Sequence, residues 1–264
     1  MSAAPSTTIT SDSTWESLIL SERPVRKTWE DIFGKLETLA SATTNPQLLH
    51  RETTAPDRLI AEGAWDLWQA FPTDAPSVID SIRDFWAAQS NSAGTAVLIL
   101  DALSLRELPL ILAAGQKRGI RPARTSVRAS LVPTETNRFA AALGLPSRSR
   151  LSNNDYPQSF IFAGADVYTD VFDCPFADCV SKVPAKPRLF IWHEWPDQPL
   201  IHNQSEVADG ETVVATEIKR TMLVDEVVNF VNVLRQVRRL LITGDHGYAT
   251  ASESSSEVKD EESV

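Results

Sequence analysis

The stretch Leu240-Leu241-Ile242-Thr243-Gly244-Asp245-His246-Gly247-Tyr248 decides how this chain is read. An apolar run that closes on adjacent Asp and His before a glycine has the form of a buried strand delivering two metal-capable side chains at its C-terminal tip. The rest of the chain then has to supply the other strands of a sheet and the other ligands of a site.

Working outward, residues Thr216 to Leu240 place Ile218, Met222, Val227, Val228, Val231, Leu234 and Val237 at helical spacing. This predicts a long amphipathic helix, or two abutting ones, feeding straight into the strand. Further upstream, Arg188 to Trp192 reads as a strand, and Phe160 to Ala163 and Val167 to Phe172 as shorter β-rich pieces. Thr95 to Leu100 (TAVLIL) is continuously apolar between Gly94 and Asp101, the pattern of a strand buried on both faces. A helix is expected from Ser104 to Gln116, a second strand from Thr125 to Val132 ending at Pro133, and a short helix from Thr136 to Leu143. Strands alternating with helices predict an α/β fold, with a mostly parallel sheet covered by helices on both faces. In open sheets of this kind ligands bind at the C-terminal ends of the strands, and Asp101, Asp197 and Asp245 lie at or just past such ends.

Residues 15–89 read as a helical N-terminal extension. Ile32, Phe33, Leu36 and Leu39 share one helical face, as do Leu59, Trp65 and Leu67 with Trp68 nearby, and Val78, Ile82, Phe85 and Trp86. Five of the seven tryptophans fall in this region, and their spacing favours core packing over a base-stacking surface. Residues 90–94 read as a linker to the α/β domain, placed at 95–250. Residues 1–14, rich in Ser and Thr, and the acidic tail within 251–264 are expected to be disordered.

Composition narrows the function classes. The 264 residues carry a formal net charge of −10, and the tail alone has five acids against Lys259. That balance argues against broad, sequence-independent binding to a nucleic-acid backbone, which needs Lys and Arg to neutralise phosphates. The N-terminus lacks the basic and apolar regions of a secretory signal, and no apolar run nears the ~18 residues of a membrane span; the expectation is a cytoplasmic protein without membrane contact. The only cysteines, Cys174 and Cys179, are spaced for half a metal site or a disulfide, but no second pair completes a zinc motif. Two ordinary thiols in a loop is the simpler reading.

Four segments carry a resemblance. Ile-Leu-Asp101-Ala-Leu, Pro133-Thr134-Glu135-Thr136, Trp192-His193-Glu194-Trp195-Pro196-Asp197 and Ile-Thr-Gly-Asp245-His246-Gly247-Tyr resemble, in order and spacing, the successive motifs of PglZ domains. PglZ domains belong to the alkaline phosphatase superfamily and occur in bacterial phage-defence (BREX) systems and some response regulators. The resemblance implies an alkaline-phosphatase-like α/β fold and a two-metal site, commonly zinc or else manganese, that cleaves phosphoesters, nucleotides among them. By motif position it implies that Asp101, Asp245 and His246 hold the metal beside Thr136, the nucleophile and itself a metal ligand. Asp197 and His202 would serve a second metal, and His193 would be a supporting or substrate contact. The residue types suit this chemistry, since carboxylates and imidazoles bind divalent ions and a metal pair stabilises attacking and leaving oxygens. A helix start at Thr136 would add backbone donors for a phosphoryl group.

Blander readings stand beside these. Pro-Thr-Glu-Thr-Asn is also a helix cap, and an Asp after a strand is often a loop residue. Ser104 competes as nucleophile but also reads as an N-cap. His193, inside an apolar run, reads more readily as a hydrogen-bonded core residue than as a ligand. Relatives often place another metal histidine downstream, and none follows His246 here. The alternative expectation is therefore a PglZ-like scaffold with an incomplete metal set, serving protein partners in a defence complex.

Overall fold

The computed structural model describes residues 14–43, 45–88, 94–154, 166–197 and 210–247. Its centre is a four-stranded, all-parallel sheet of β1 (Gly94–Leu100), β2 (Tyr168–Phe172), β3 (Arg188–His193) and β4 (Arg238–Gly244), in the order β2-β3-β1-β4. β1 is an inner strand, paired with β3 from Thr95↔Arg188 to Leu100↔His193 and with β4 from Gly94↔Arg238 to Leu100↔Gly244. Six consecutive residues of β1 are buried, which is why its sequence is apolar without alternation.

The two faces of β1 open into two cores. Val97 and Ile99, with Phe190 and Trp192 of β3, pack against α6 (Val78–Ala87) through Val78, Ile79, Ile82 and Trp86, and against α8 (Thr136–Ala142) through Phe139 and Ala140. Ala96, Leu98 and Leu100, with Leu189 and Ile191, face α7 (Leu108–Lys117), α9 (Phe176–Lys182) and α10 (Gly210–Arg235), whose Val227, Phe230 and Leu234 are buried. Each such aliphatic side chain contributes on the order of 1.5–3 kcal/mol by leaving water. Together these contacts clamp β1 between helical layers.

The N-terminal region is helical as expected: α1 (Trp15–Ile19), α2 (Val25–Ala42), α3 (Pro46–Gly63), α4 (Trp65–Gln69), α5 (Phe71–Asp74) and α6. Leu18, Ile19, Trp29, Ile32, Phe33 and Leu67 form a third core. Trp29 and Trp86 are buried, but Trp65 and Trp68 are exposed at 60% and 41%, so the expectation of burial fails for that pair.

Three boundaries differ from the sequence reading. Thr125 to Val132 is not a strand; it makes a single parallel bridge, Ser77↔Ala129. Its apolar side chains are satisfied elsewhere, Val127 and Ala129 on the N-terminal core and Leu131 on the sheet core. The helix expected from Ser104 begins only at Leu108, because Ser104 to Glu107 forms a turn closed by their side chains. α10 ends at Arg235, and Val237, expected on its apolar face, lies in the turn before β4 and is 65% exposed. The expected strand at 160–163, the linker residues 90–93, the segment 1–13 and the tail lie outside the described residues. Among the described residues, no helix is long and apolar enough to cross a membrane.

Candidate metal centre

β1 and β4 run side by side and in register to their last pair, Leu100↔Gly244, so the residues that follow, Asp101 and Asp245, emerge together at the C-terminal edge of the sheet. Gly244 makes this closeness feasible. A Cβ there would sit 2.4 Å from the Leu103 carbonyl oxygen, so only glycine lets the loop after β1 cross β4 at this point. Ala102 turns that loop with a φ of 59°, and its N–H donates to Asp245 Oδ1 at 2.9 Å. Ser130 adds a hydroxyl hydrogen bond to the Asp245 carbonyl oxygen.

Thr136 arrives from the other side. Phe139 and Ala140, three and four positions on, are buried, and the Phe139 ring meets Trp192 edge-on at 5.7 Å. Residues at i, i+3 and i+4 share a helical face, so the contact that seats α8 on the sheet also turns Thr136 toward the end of β1. Glu135 occupies the N-cap position without a side-chain cap bond. The Thr136 hydroxyl is not a cap either: it lies 3.1 Å from His246 Nε2 and 3.4 Å from Asp101 Oδ1.

His246 Nε2 is also 3.3 Å from Asp101 Oδ1 and 3.4 Å from Asp245 Oδ2. One donor atom from each of Asp101, Asp245 and His246 lies within 4.8 Å of the other two, a group that could hold a metal ion. Two further features fit a cation there. Asp245 Oδ2 is buried and faces His246 Nε2 at 3.4 Å with no hydrogen-bond partner among the described residues, so a cation there would supply the contact that burial demands. His246 Nδ1 lies 2.9 Å from the Gly247 carbonyl, which can only accept, so Nδ1 carries a proton and Nε2 faces the carboxylates.

The electrostatics agree. The hydrogen bond to Asp101 raises the His246 pKa to about 9, so in the metal-free protein Nε2 carries a proton where a cation would sit. Burial and the neighbouring Asp101 charge push the Asp245 carboxyl up to about 6.

Asp197, past the end of β3, joins the edge of this group. Its N–H donates to the Asp101 carbonyl at 3.2 Å, and burial and the Asp101 charge raise its carboxyl above the usual range. His193 does not join. It is buried and stacked on Phe176 at 3.9 Å, with Nε2 donating to the Cys174 carbonyl at 3.0 Å and Nδ1 accepting from Trp195 N–H at 2.9 Å. Both ring nitrogens are thus committed to structure, and burial lowers its pKa to about 4. His202 lies outside the described residues. Ser104 is held by Glu107, whose Oε2 accepts from both its hydroxyl (2.8 Å) and its N–H (2.9 Å); this closes the turn before α7, whose N-cap position is Glu107 and not Ser104.

Arg148 is a residue that sequence reasoning missed. From the 3-10 segment Arg148–Asn154, its Nε comes 3.7 Å from Asp101 Oδ2 while both terminal nitrogens donate to Asp173. Nothing in Ser147-Arg148-Ser149-Arg150 separates it from a surface arginine; only the tertiary fold places it.

Comparison with known proteins finds no family model and no curated protein that matches this chain.

Proposed function

We propose that this chain is a metal-dependent hydrolase of phosphomonoesters or phosphodiesters, a PglZ-like member of the alkaline phosphatase superfamily with Thr136 as nucleophile. One observation supports the reading: a hydroxyl, two carboxylates and an imidazole from three distant parts of the chain converge, with Thr136 Oγ1 3.1 Å from Nε2 of His246, which with Asp101 and Asp245 forms a group that could hold a cation. Asp101, Asp245 and His246 would hold the ion, zinc or manganese, with the Thr136 oxygen beside it. When bound, a dication lowers the pKa of a neighbouring hydroxyl and offsets charge on phosphoryl oxygens.

The chain's own groups supply the rest. Thr136 Oγ1 attacks phosphorus, forming a phosphothreonine as the bond to the leaving oxygen breaks, and water then hydrolyses that ester. Asp101 Oδ1, 3.4 Å away, is the acceptor for the hydroxyl proton. Arg148, its terminal nitrogens held by Asp173, places a positive charge 3.7 Å from Asp101 Oδ2 at the edge of this group. By the family resemblance, Asp197 and His202 would serve a second ion. Nucleotide substrates and a place in a phage-defence complex follow from the family resemblance and belong to this proposal.

The test is turnover of nitrophenyl phosphate and bis-nitrophenyl phosphate with added Zn²⁺ or Mn²⁺. Wild type and Thr136→Ser should hydrolyse at least one ester, and Thr136→Ala should fall to background. Metal binding without turnover on any ester would favour the scaffold reading, and metal-independent turnover in Thr136→Ala would contradict the assignment of the nucleophile.

A further inference from the structure

Away from the metal centre, the protein's only two cysteines meet. Cys174 lies in the loop after β2 and Cys179 within α9, and their Sγ atoms are 3.2 Å apart. Cys179 is fully buried, whereas Cys174 is half-buried. The Cys179 thiol donates to the Cys174 carbonyl at 3.3 Å, and the Lys182 ammonium, one turn along α9, donates to Cys174 Sγ at 3.2 Å. The loop itself is fixed, since the Cys174 carbonyl also accepts from His193 and Phe176 stacks on that imidazole.

A soft-metal half-site is the competing reading. It lacks ligands: both nitrogens of His193 are engaged, and the described residues hold a single candidate metal cluster, which contains neither cysteine. A dithiol needs no third group.

We propose that Cys174 and Cys179 form an oxidisable dithiol that closes to an intramolecular disulfide when a hydroperoxide attacks, with Cys174 reacting first and Cys179 resolving. As thiolate, Cys174 Sγ, which accepts from the Lys182 ammonium at 3.2 Å, attacks the terminal peroxide oxygen. The O–O bond breaks, Cys174 becomes a sulfenic acid, and the other oxygen leaves as water or an alcohol with one proton. Cys179 sulfur then attacks Cys174 sulfur, the S–O bond breaks, and hydroxide takes the Cys179 proton to leave as water. Two thiols and one hydroperoxide give one disulfide, one alcohol or water, and one water. Burial holds the Cys179 thiol far above its usual range, which leaves the half-buried Cys174 as the cysteine that reacts first. Closing from 3.2 Å to the ~2.05 Å of a disulfide needs a shift of about 1 Å, within side-chain reach. The pair also adjoins Asp173, whose carboxylate holds Arg148 beside Asp101.

The full-length protein is treated with excess hydrogen peroxide, then denatured and alkylated, and its intact mass is measured. The proposal predicts that wild type loses two hydrogens and takes no alkyl label, that dithiothreitol restores both labels, and that Cys179→Ser accumulates a dimedone-reactive sulfenic acid at Cys174. Two alkylated thiols after oxidation, or a bridge between chains in place of one within the chain, would overturn it. The wild-type reading stands even if the serine variant fails to fold, and none of it depends on metal binding or ester hydrolysis.

Discussion

Asp245 is a carboxylate that is almost fully buried, with Oδ1 accepting from Ala102 N–H and Oδ2 facing His246 Nε2 at 3.4 Å without a hydrogen bond. Asp245→Asn keeps an oxygen for the Ala102 N–H and removes the charge. It should therefore leave the thermal midpoint of the metal-free protein equal or raised, while weakening Mn²⁺ binding at least tenfold; a lowered midpoint with binding intact would contradict this. The pH behaviour follows from the same two residues. The folded pKa of His246, about 9, lies above its ordinary 6.5, so its contribution to stability is full below about 6.5 and lost as pH rises through about 9. The carboxyl of Asp245 is raised from 3.8 to about 6, so its neutral form is favoured by the fold, and that contribution is lost as pH rises through about 6. Both make the metal-free protein less stable as pH rises, and both protons must leave when a cation binds. The stabilisation produced by Mn²⁺, read as a thermal shift, should grow between pH values of about 6 and about 9, and a shift independent of pH would speak against these ligands.

At the scale of elements, β4 and the turn beyond it need the close crossing at Gly244. Gly244→Ala drives a methyl against the Leu103 carbonyl at 2.4 Å, backbone against side chain with no flexible end to yield. We expect a loss of about 1–3 kcal/mol in urea unfolding together with weaker metal binding, because the β1 and β4 tips must separate. The same elements mark what a sequence discloses. β1, β3 and β4 are legible because an inner parallel strand is apolar on both faces, and the acids after them are legible as strand-end groups. Whether those groups meet was not, since that depends on β1 and β4 being neighbours in register. Thr125 to Val132 misleads because packing on the N-terminal helices needs the same apolar residues as pairing in a sheet. Thr136, taken alone, reads more readily as part of a helix cap than as a site residue, and the Phe139–Trp192 contact that orients its helix is long-range. Arg148 carries no local signal at all.

Over the whole molecule, the candidate metal centre and the N-terminal helices share one scaffold. α6 closes the sheet face opposite α7, α9 and α10, with Ile82 fully buried beneath β1. Ile82→Ala should cost about 2–5 kcal/mol by denaturant unfolding, although it touches none of the site residues. An unchanged midpoint would mean that the helical region is an independent module. The centre itself is assembled across the chain, with Thr136 and His246 separated by 110 positions and Ala102 and Asp245 by 143. Its central claim, that Asp101, Asp245 and His246 bind a divalent cation, is most directly tested by calorimetric titration of metal-free protein with Mn²⁺. Wild type should bind saturably at about one ion or more per chain, releasing protons, and Asp245→Asn and His246→Ala should lose that ion. No saturable binding to the folded wild-type protein, or binding unchanged in both variants, would contradict it.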